Sequence, residues 1–482
     1  MGTGEILRRL GRAAVVMGLA AGLASAAEVR VDCARPAGTI RPLHGVNDGP
    51  VTFNELTDLS AYYRELGVPY ARLHDCHWPN PDVVDIHAVF PDFRADPGLP
   101  ASYRFTRTDD YIQSIVATGS KIVYRLGESI EHTRRKYHVA PPADAQKWAA
   151  VCIGIIRHYN EGWADGFRHG IRYWEIWNEP ENRPAMWTGT DADYYRLYAT
   201  AAKAIKARFP DVLVGGPSVG YGGKVTGTTL EPTPFLAGFL RLCREESVPL
   251  DFFSWHRYTA NPYAFHEQAC AVRRLLDENG FAKTESHLNE WNYLPGDDWQ
   301  PMLLGGQGLV REKFFDEMGG APGAAFVACA LLFLQDSPVD VANFYRGDTG
   351  GFGLFNEHGT PKKVFYAMKA FRALLDTPRR VEARGSVAGR LAVVAGVNAA
   401  GTEVTVLVSR YRSDDEPLDL AVEHLPWDGP TLCEVFLLDA SRNLERVSSE
   451  TRPAKAFRLS HPLPAPSVLL LKLSRPAPGE AK

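Results

Sequence analysis

Between about Thr39 and Leu375 the sequence alternates eight times between a short apolar run and an amphipathic helical stretch. The runs begin at Thr39–Gly45 and Val68–Leu73, continue through Lys121–Leu126, Ile171–Trp177 and Asp211–Gly216, and end with Leu250–Trp255, His287–Glu290 and Asp340–Tyr345. Helical spacing between them is clearest over Ala143–Tyr159 and Asp191–Phe209. Eight such units in this length predict an α/β fold of the (β/α)8 TIM-barrel type. A doubly wound open sheet is the alternative, but no GxGxxG turn supports it. From about Val381 the texture changes. Short alternating runs at Leu391–Val397, Val404–Val408, Leu418–Val422, Cys433–Leu438 and Val468–Leu473 predict an accessory antiparallel β-sandwich. The expected division is a leader over 1–27, a strand at 28–38 that joins the sandwich, and a barrel over 39–378. The sandwich follows over 379–475, with a polar tail at 476–482.

A barrel brings the ends of its strands to one pocket, so the residues at those ends carry the chemistry. The run Ile171–Trp177 stops at Asn178, Glu179 and Pro180. Pro180 cannot donate to a ladder and turns Glu179 out of helical geometry. A carboxylate after a strand can be a plain helix-start residue. Here, though, a second run, Ser286–Tyr293, also carries a glutamate, Glu290. Two carboxyl groups across one cavity, one protonated and one ionised, suit glycoside hydrolysis. Glu181, two residues on, is a rival for the acid, but Pro180 and strand geometry favour Glu179.

Composition narrows the alternatives. Apolar residues make up 45% of the chain and charged residues 23%, which fits a globular protein. The net charge of −4 leaves no footprint for nucleic acid. Arg8, Arg9 and Arg12 precede an apolar stretch from Ala13 to Leu23 and small residues at Ala24–Ala27. This reads as a cleaved signal, hence export to the periplasm or medium without stable membrane insertion. Seven scattered cysteines form no CxxC pair and no disulfide framework. His74, Cys76 and His77 invite a metal reading. On a strand, however, His74 and Cys76 share one face and His77 the other, so a pocket wall is preferred and no metal is expected.

The motifs resemble glycoside hydrolase family 39 of clan A, which includes β-xylosidases and α-L-iduronidases. The resemblance rests on Trp174–Asn182, Asn289–Asn292, His44–Pro50, Arg72–His74 and Ser254–Tyr258. It implies Glu179 as acid/base and Glu290 as nucleophile. It also implies Asn178 as the amide that binds the sugar 2-hydroxyl, with His256 and Tyr258 near the nucleophile. The mechanism implies a raised pKa for Glu179, an ionised Glu290 held by Arg72, Tyr258 or His256, and carboxyls about 5–5.5 Å apart. Arg72 and His74 are candidate substrate-binding residues. Trp187, Trp291, Trp299 and Trp78 are candidate sugar platforms. The basic segment Arg134–Lys136 is either a solvated loop or a contact for an acidic sugar. An oligo- or polysaccharide is the expected substrate, with a β-xyloside first and β-galactoside, β-glucoside or uronide as rivals. No cofactor is implied, and the oligomeric state is left open. Two readings of other classes compete, an exported carbohydrate binder without catalysis and a metal-dependent hydrolase.

Overall fold

The computed structural model describes residues 27–53, 56–303, 308–412, 417–453 and 456–476. Nearly all of the leader expected over 1–27 lies outside them. Eight parallel strands close a barrel: Gly45–Asn47, Tyr70–Leu73, Lys121–Leu126, Tyr173–Ile176, Leu213–Val219, Phe252–Thr259, Glu285–Tyr293 and Val341–Phe344. Each is followed by helix, from Ser60–Leu66 to Lys363–Leu374. The strands are called the first to the eighth below.

Two barrel strands differ from expectation in a way that matters. The first lies at Gly45–Asn47, not Thr39–Gly45. Pro42 cannot donate to a ladder, so the chain runs as a connector from Ile40 to His44 before pairing. The sixth runs four residues further than expected, to Thr259, which puts His256 and Tyr258 on the strand rather than in a loop.

The ladder is interrupted between the seventh and eighth strands, from Leu288–Ala342 to Trp291–Phe344, and at two further places that matter for the site. Between the fifth and sixth strands the register passes from Pro217–Ser254 to Val219–Trp255, leaving Ser218 unmatched. Between the sixth and seventh it passes from Trp255–Leu288 to His256–Glu290, leaving Asn289 unmatched. A bulge of this kind breaks the period-2 alternation and re-aims side chains. Asn289 and Glu290, neighbours in sequence, therefore both face inward. The end of the fourth strand achieves the same by backbone conformation, with φ of 71° at Trp177 and 42° at Glu179.

The C-terminal region is a nine-stranded sheet that includes the N-terminal strand Ala27–Thr39. That strand pairs antiparallel with Arg379–Arg384 and parallel with Pro417–Glu423. The expected sandwich is thus one hydrogen-bonded sheet, curled so that Val29, Val406, Leu420, Leu471 and Val435 bury one another. Three of its strands, Arg379–Arg384, Asn443–Pro453 and Phe457–Pro462, were not expected. All three are largely exposed and polar, so no apolar alternation marks them. The sheet's other face packs on the helix Ala321–Leu334, whose residues are buried throughout except Pro322. Ser409 Oγ donates to the Ala325 carbonyl at 2.7 Å across that contact. Among the described residues no single helix is long and apolar enough to cross a membrane.

Candidate active site

The barrel mouth is organised on Arg72, which the second strand delivers fully buried. Its Nε donates to Glu175 at 2.7 Å. Nη1 reaches Asn47 at 3.0 Å and Glu290 at 3.4 Å. Nη2 reaches Asn178 at 2.6 Å and Ser218 at 2.8 Å. A guanidinium presents its donors in a rigid fork, so this one second-strand side chain fixes groups at the first, fourth, fifth and seventh strands. Asn289 Nδ2 closes the layer by donating to Glu175 at 2.5 Å and to Ser218 Oγ at 2.9 Å.

Above this layer stand the two glutamates. Glu290 accepts from Tyr258 OH at 2.6 Å and is 7% exposed. Glu179 accepts from Asn182 Nδ2 at 2.8 Å, and its other oxygen lies 2.8 Å from His256 Nδ1. His256 Nε2 lies 2.7 Å from Ser218 Oγ and 3.7 Å from Glu290. One donor atom each from Glu179, His256 and Glu290 lies within 4.8 Å of the others. The two acids share a cavity of about 650 Å³, open at the mouth and walled by His74, Asp75, Tyr258, Trp299 and Tyr345 among others. Asp75 ties the wall together, accepting from the Ile130 amide at 2.9 Å and Tyr345 OH at 2.9 Å.

The electrostatics differ from the expected division of labour. Burial pushes Glu179 up, but the hydrogen bond and charge of His256 outweigh it and hold its pKa below the ordinary value. Burial pushes Glu290 up too. His256 pulls it back and the Glu179 charge adds to the rise, and the net is above the ordinary value. Burial opposes a charged His256, yet Glu290 and Glu179 together raise its pKa. In the free site these influences favour a proton on His256 over one on Glu179, because each group's charge stabilises the other's. Glu181 is raised to about 7, by burial and then by Glu179. Its Oε1 accepts from the Gly220 and Tyr221 amides at 2.6 and 3.0 Å, which turns it into the loop after the fifth strand.

Of the expected site residues, Arg72, His74, Asn178, Glu179, His256, Tyr258, Glu290 and Trp299 gather at this cavity or the layer beneath it. Two platforms do not. Trp291 is fully buried and packs edge-on against Phe265 and Phe344, on the helix side of the seventh strand. The bulge at Asn289 puts Glu290 inside and its neighbour outside. Trp187 is buried against Trp177 and Tyr194, its Nε1 donating to the Thr190 carbonyl. Trp78 is 51% exposed beside His132, at the cavity's edge. Arg134 and Arg135 are exposed and Lys136 Nζ turns back to the Thr133 carbonyl; none of the three lines the cavity. Sequence reasoning missed Ser218, Glu175, Asn289, Asp75 and Tyr345. Glu175 alone had a visible signal, a carboxylate in an apolar strand.

A family model described as "Glycosyl hydrolases family 39" matches residues 38–418. A β-xylosidase of Geobacillus stearothermophilus is 27% identical over 355 residues, covering 67% of this chain and 65% of that protein. A β-xylosidase of Caldicellulosiruptor saccharolyticus is 27% identical over 344 residues, 63% of this chain and 62% of its own length. The match thus spans a little under two thirds of these relatives. Among solved structures, a glucosidase from Croceicoccus marinus superposes with a TM-score of 0.79 at 27% identity, over 94% of this chain and 99% of that one. A monomeric β-xylosidase from Caulobacter crescentus shares the fold, with a TM-score of 0.70 at 18% identity over 94% and 100% of the two chains.

Proposed function

The chain belongs to glycosyl hydrolases family 39, and from that premise we propose that it is a retaining glycosidase acting on an oligo- or polysaccharide, with Glu290 as nucleophile and Glu179 as acid/base. The observation that carries the reading is the short approach of the two acids, whose nearest oxygens lie within 4.8 Å in one open cavity. Inverting enzymes separate their carboxyls by about 6.5–9.5 Å to admit a water.

In this mechanism Glu290 attacks the anomeric carbon while Tyr258 and Arg72 hold its oxygens. The leaving oxygen takes a proton from Glu179. That proton comes from His256 Nδ1, 2.8 Å away, as the sugar enters and displaces water around the pair. A covalent glycosyl-enzyme forms and Glu179, now a base, activates the water that releases it. Asn178, fixed by Arg72 and Ser218, is in place to bind the sugar 2-hydroxyl beside the nucleophile. Trp299, packed edge-on against Tyr258 with ring centres 4.9 Å apart, offers the platform. Export is part of the reading and rests on the leader-like sequence of residues 1–27.

A β-xyloside is the first substrate, by similarity to the two xylosidases. A glucoside is the second, favoured by the glucosidase that matches along nearly its whole length. Rates on aryl β-xyloside, β-glucoside and β-galactoside decide between them. Proton NMR of the first-formed anomer tests retention. The inverted anomer, or no turnover on any aryl glycoside, would overturn the proposal.

A further inference from the structure

A second cluster of ligating side chains lies outside the glutamate pair, in the connection that follows the second barrel strand. His77 sits in the turn after the second strand. Asp85 and His87 sit at the start of the short helix Ile86–Val89. One donor atom from each of the three lies within 4.8 Å of the others. The rings of His77 and His87 meet edge-on with centres 5.4 Å apart.

The donors are free in a way that the glutamate site's are not. His77 Nδ1 is buried and has no hydrogen-bond partner among the described residues. His87 Nδ1 is held by Glu128 Oε2 at 2.5 Å, and the His87 amide donates to the other Glu128 oxygen at 3.2 Å. A carboxylate on one ring nitrogen is the outer-shell arrangement that orients a metal-binding imidazole and leaves Nε2 for the ion. His138 stacks flat on the same ring at 3.7 Å and fixes its plane. Asp85 Oδ1 accepts from Arg125 at 2.6 Å and Ser129 Oγ at 3.0 Å, whereas Oδ2 accepts, among the described residues, only the Ser129 amide at 3.0 Å and keeps a lone pair. By contrast, Glu179, His256 and Glu290 have a partner on every nitrogen and oxygen.

We infer that His77, Asp85 and His87 form a binding site for a divalent cation of the zinc class, with Glu128 as the outer-shell carboxylate. Two imidazoles and one carboxylate suit zinc, cobalt or nickel, while calcium and magnesium call for oxygen ligands throughout. The ion would tie the turn that follows His74 and Asp75 to the helix Ile86–Val89, and the Glu128 and Ser129 hydrogen bonds to His87 and Asp85 extend that tie to the loop carrying Ile130 and His132; both loops line the cavity. It takes no part in bond cleavage.

The test uses the full chain, stripped with chelator and titrated with zinc chloride by calorimetry, with thermal unfolding in parallel. One equivalent should bind and the melting temperature should rise. His77→Gln and His87→Gln should each remove that equivalent, and Glu128→Gln should weaken it by about 10–100-fold. Two separate donor variants guard against one that misfolds. No binding by the native chain would overturn the site. Unchanged binding in folded His77→Gln, or binding lost in Glu290→Gln instead, would overturn it too, the last placing the ion among the glutamates. Calorimetry reads the ion directly, so failure of the glycosidase proposal leaves this inference standing, and the reverse holds.

Discussion

Two clusters in this molecule are built from the same donor types, each with one donor atom per residue within 4.8 Å of the others, Glu179–His256–Glu290 and His77–Asp85–His87. They differ in what holds them. The first stands on barrel strands, over a buried guanidinium and two bulges that bring Ser218 and Asn289 inward. The second hangs on loops and keeps a buried nitrogen without a partner among the described residues. The contrast teaches that residue type and proximity do not decide what a polar cluster does. A cluster saturated by rigid partners has fixed charges and a shared proton, which suits proton transfer. A cluster with spare lone pairs on loops suits a ligand that completes it.

The sharpest way to break this contrast is to remove carboxylates from one cluster and a donor from the other. Glu290→Gln should cost at least about 10⁴-fold in kcat, the scale of losing a covalent nucleophile. Glu179→Ala should cost about 10²–10⁴-fold on substrates with poor leaving groups and far less on activated aryl glycosides, which need no acid. His77→Gln should leave kcat on the same substrates within a few fold. Steady-state kinetics on the three variants checks all of this. A His77→Gln loss comparable to that of Glu290→Gln would merge the two clusters into one site.

How much of this could be read in advance follows the same division. The barrel was legible because eight strand–helix units repeat with clear period changes, and the two glutamates because each ends or interrupts an apolar run. Asn178 and Tyr258 followed from motif resemblance. Ser218 and Asn289 were not legible, since each sits at a register break that period-2 reading cannot see. Trp291 was misplaced for the same reason: without knowledge of the bulge, the residue beside an inward glutamate looks available to substrate. Trp187 was misplaced because an aromatic residue after a catalytic strand reads alike whether it packs on Trp177 or on a sugar. His87 and Glu128 drew no attention because no strand or helix periodicity links them to His77: His87 meets it ring to ring, and Glu128 meets His87, only in the fold.

A smaller effect concerns what lies under each cluster. Arg72 and Arg125 both pair a buried carboxylate, Glu175 and Asp85. Arg72 also holds Asn47, Asn178, Ser218 and Glu290, whereas Arg125 Nε and Nη1 have no hydrogen-bond partner among the described residues. Arg72→Met should destabilise by about 3–5 kcal/mol, the cost of leaving a buried charge unpaired. Arg125→Met should cost less, since Asp85 keeps the Ser129 amide and hydroxyl. Denaturant unfolding measures both. Equal losses would mean that the strand-built layer is no firmer than the loop-built one.

The finest test of the contrast is the shared proton. On the proposed mechanism Glu290 must be ionised to attack, so kcat/KM should fall as pH drops through its pKa. That pKa is raised by burial and drawn back down by the His256 charge. Replacing His256 by the neutral Gln removes the downward pull and leaves burial unopposed on that side. The Glu290 pKa should rise further, and the acid limb of kcat/KM should move to higher pH. Glu179 loses the partner that holds it down, so its pKa rises as well and it keeps a proton of its own. Turnover in His256→Gln should therefore survive, slowed, with activated aryl glycosides affected least. A pH profile whose acid limb stays in place would show that His256 carries no charge in the free site. The proton would then have to reach Glu179 from solvent, and the two clusters would differ only in their packing.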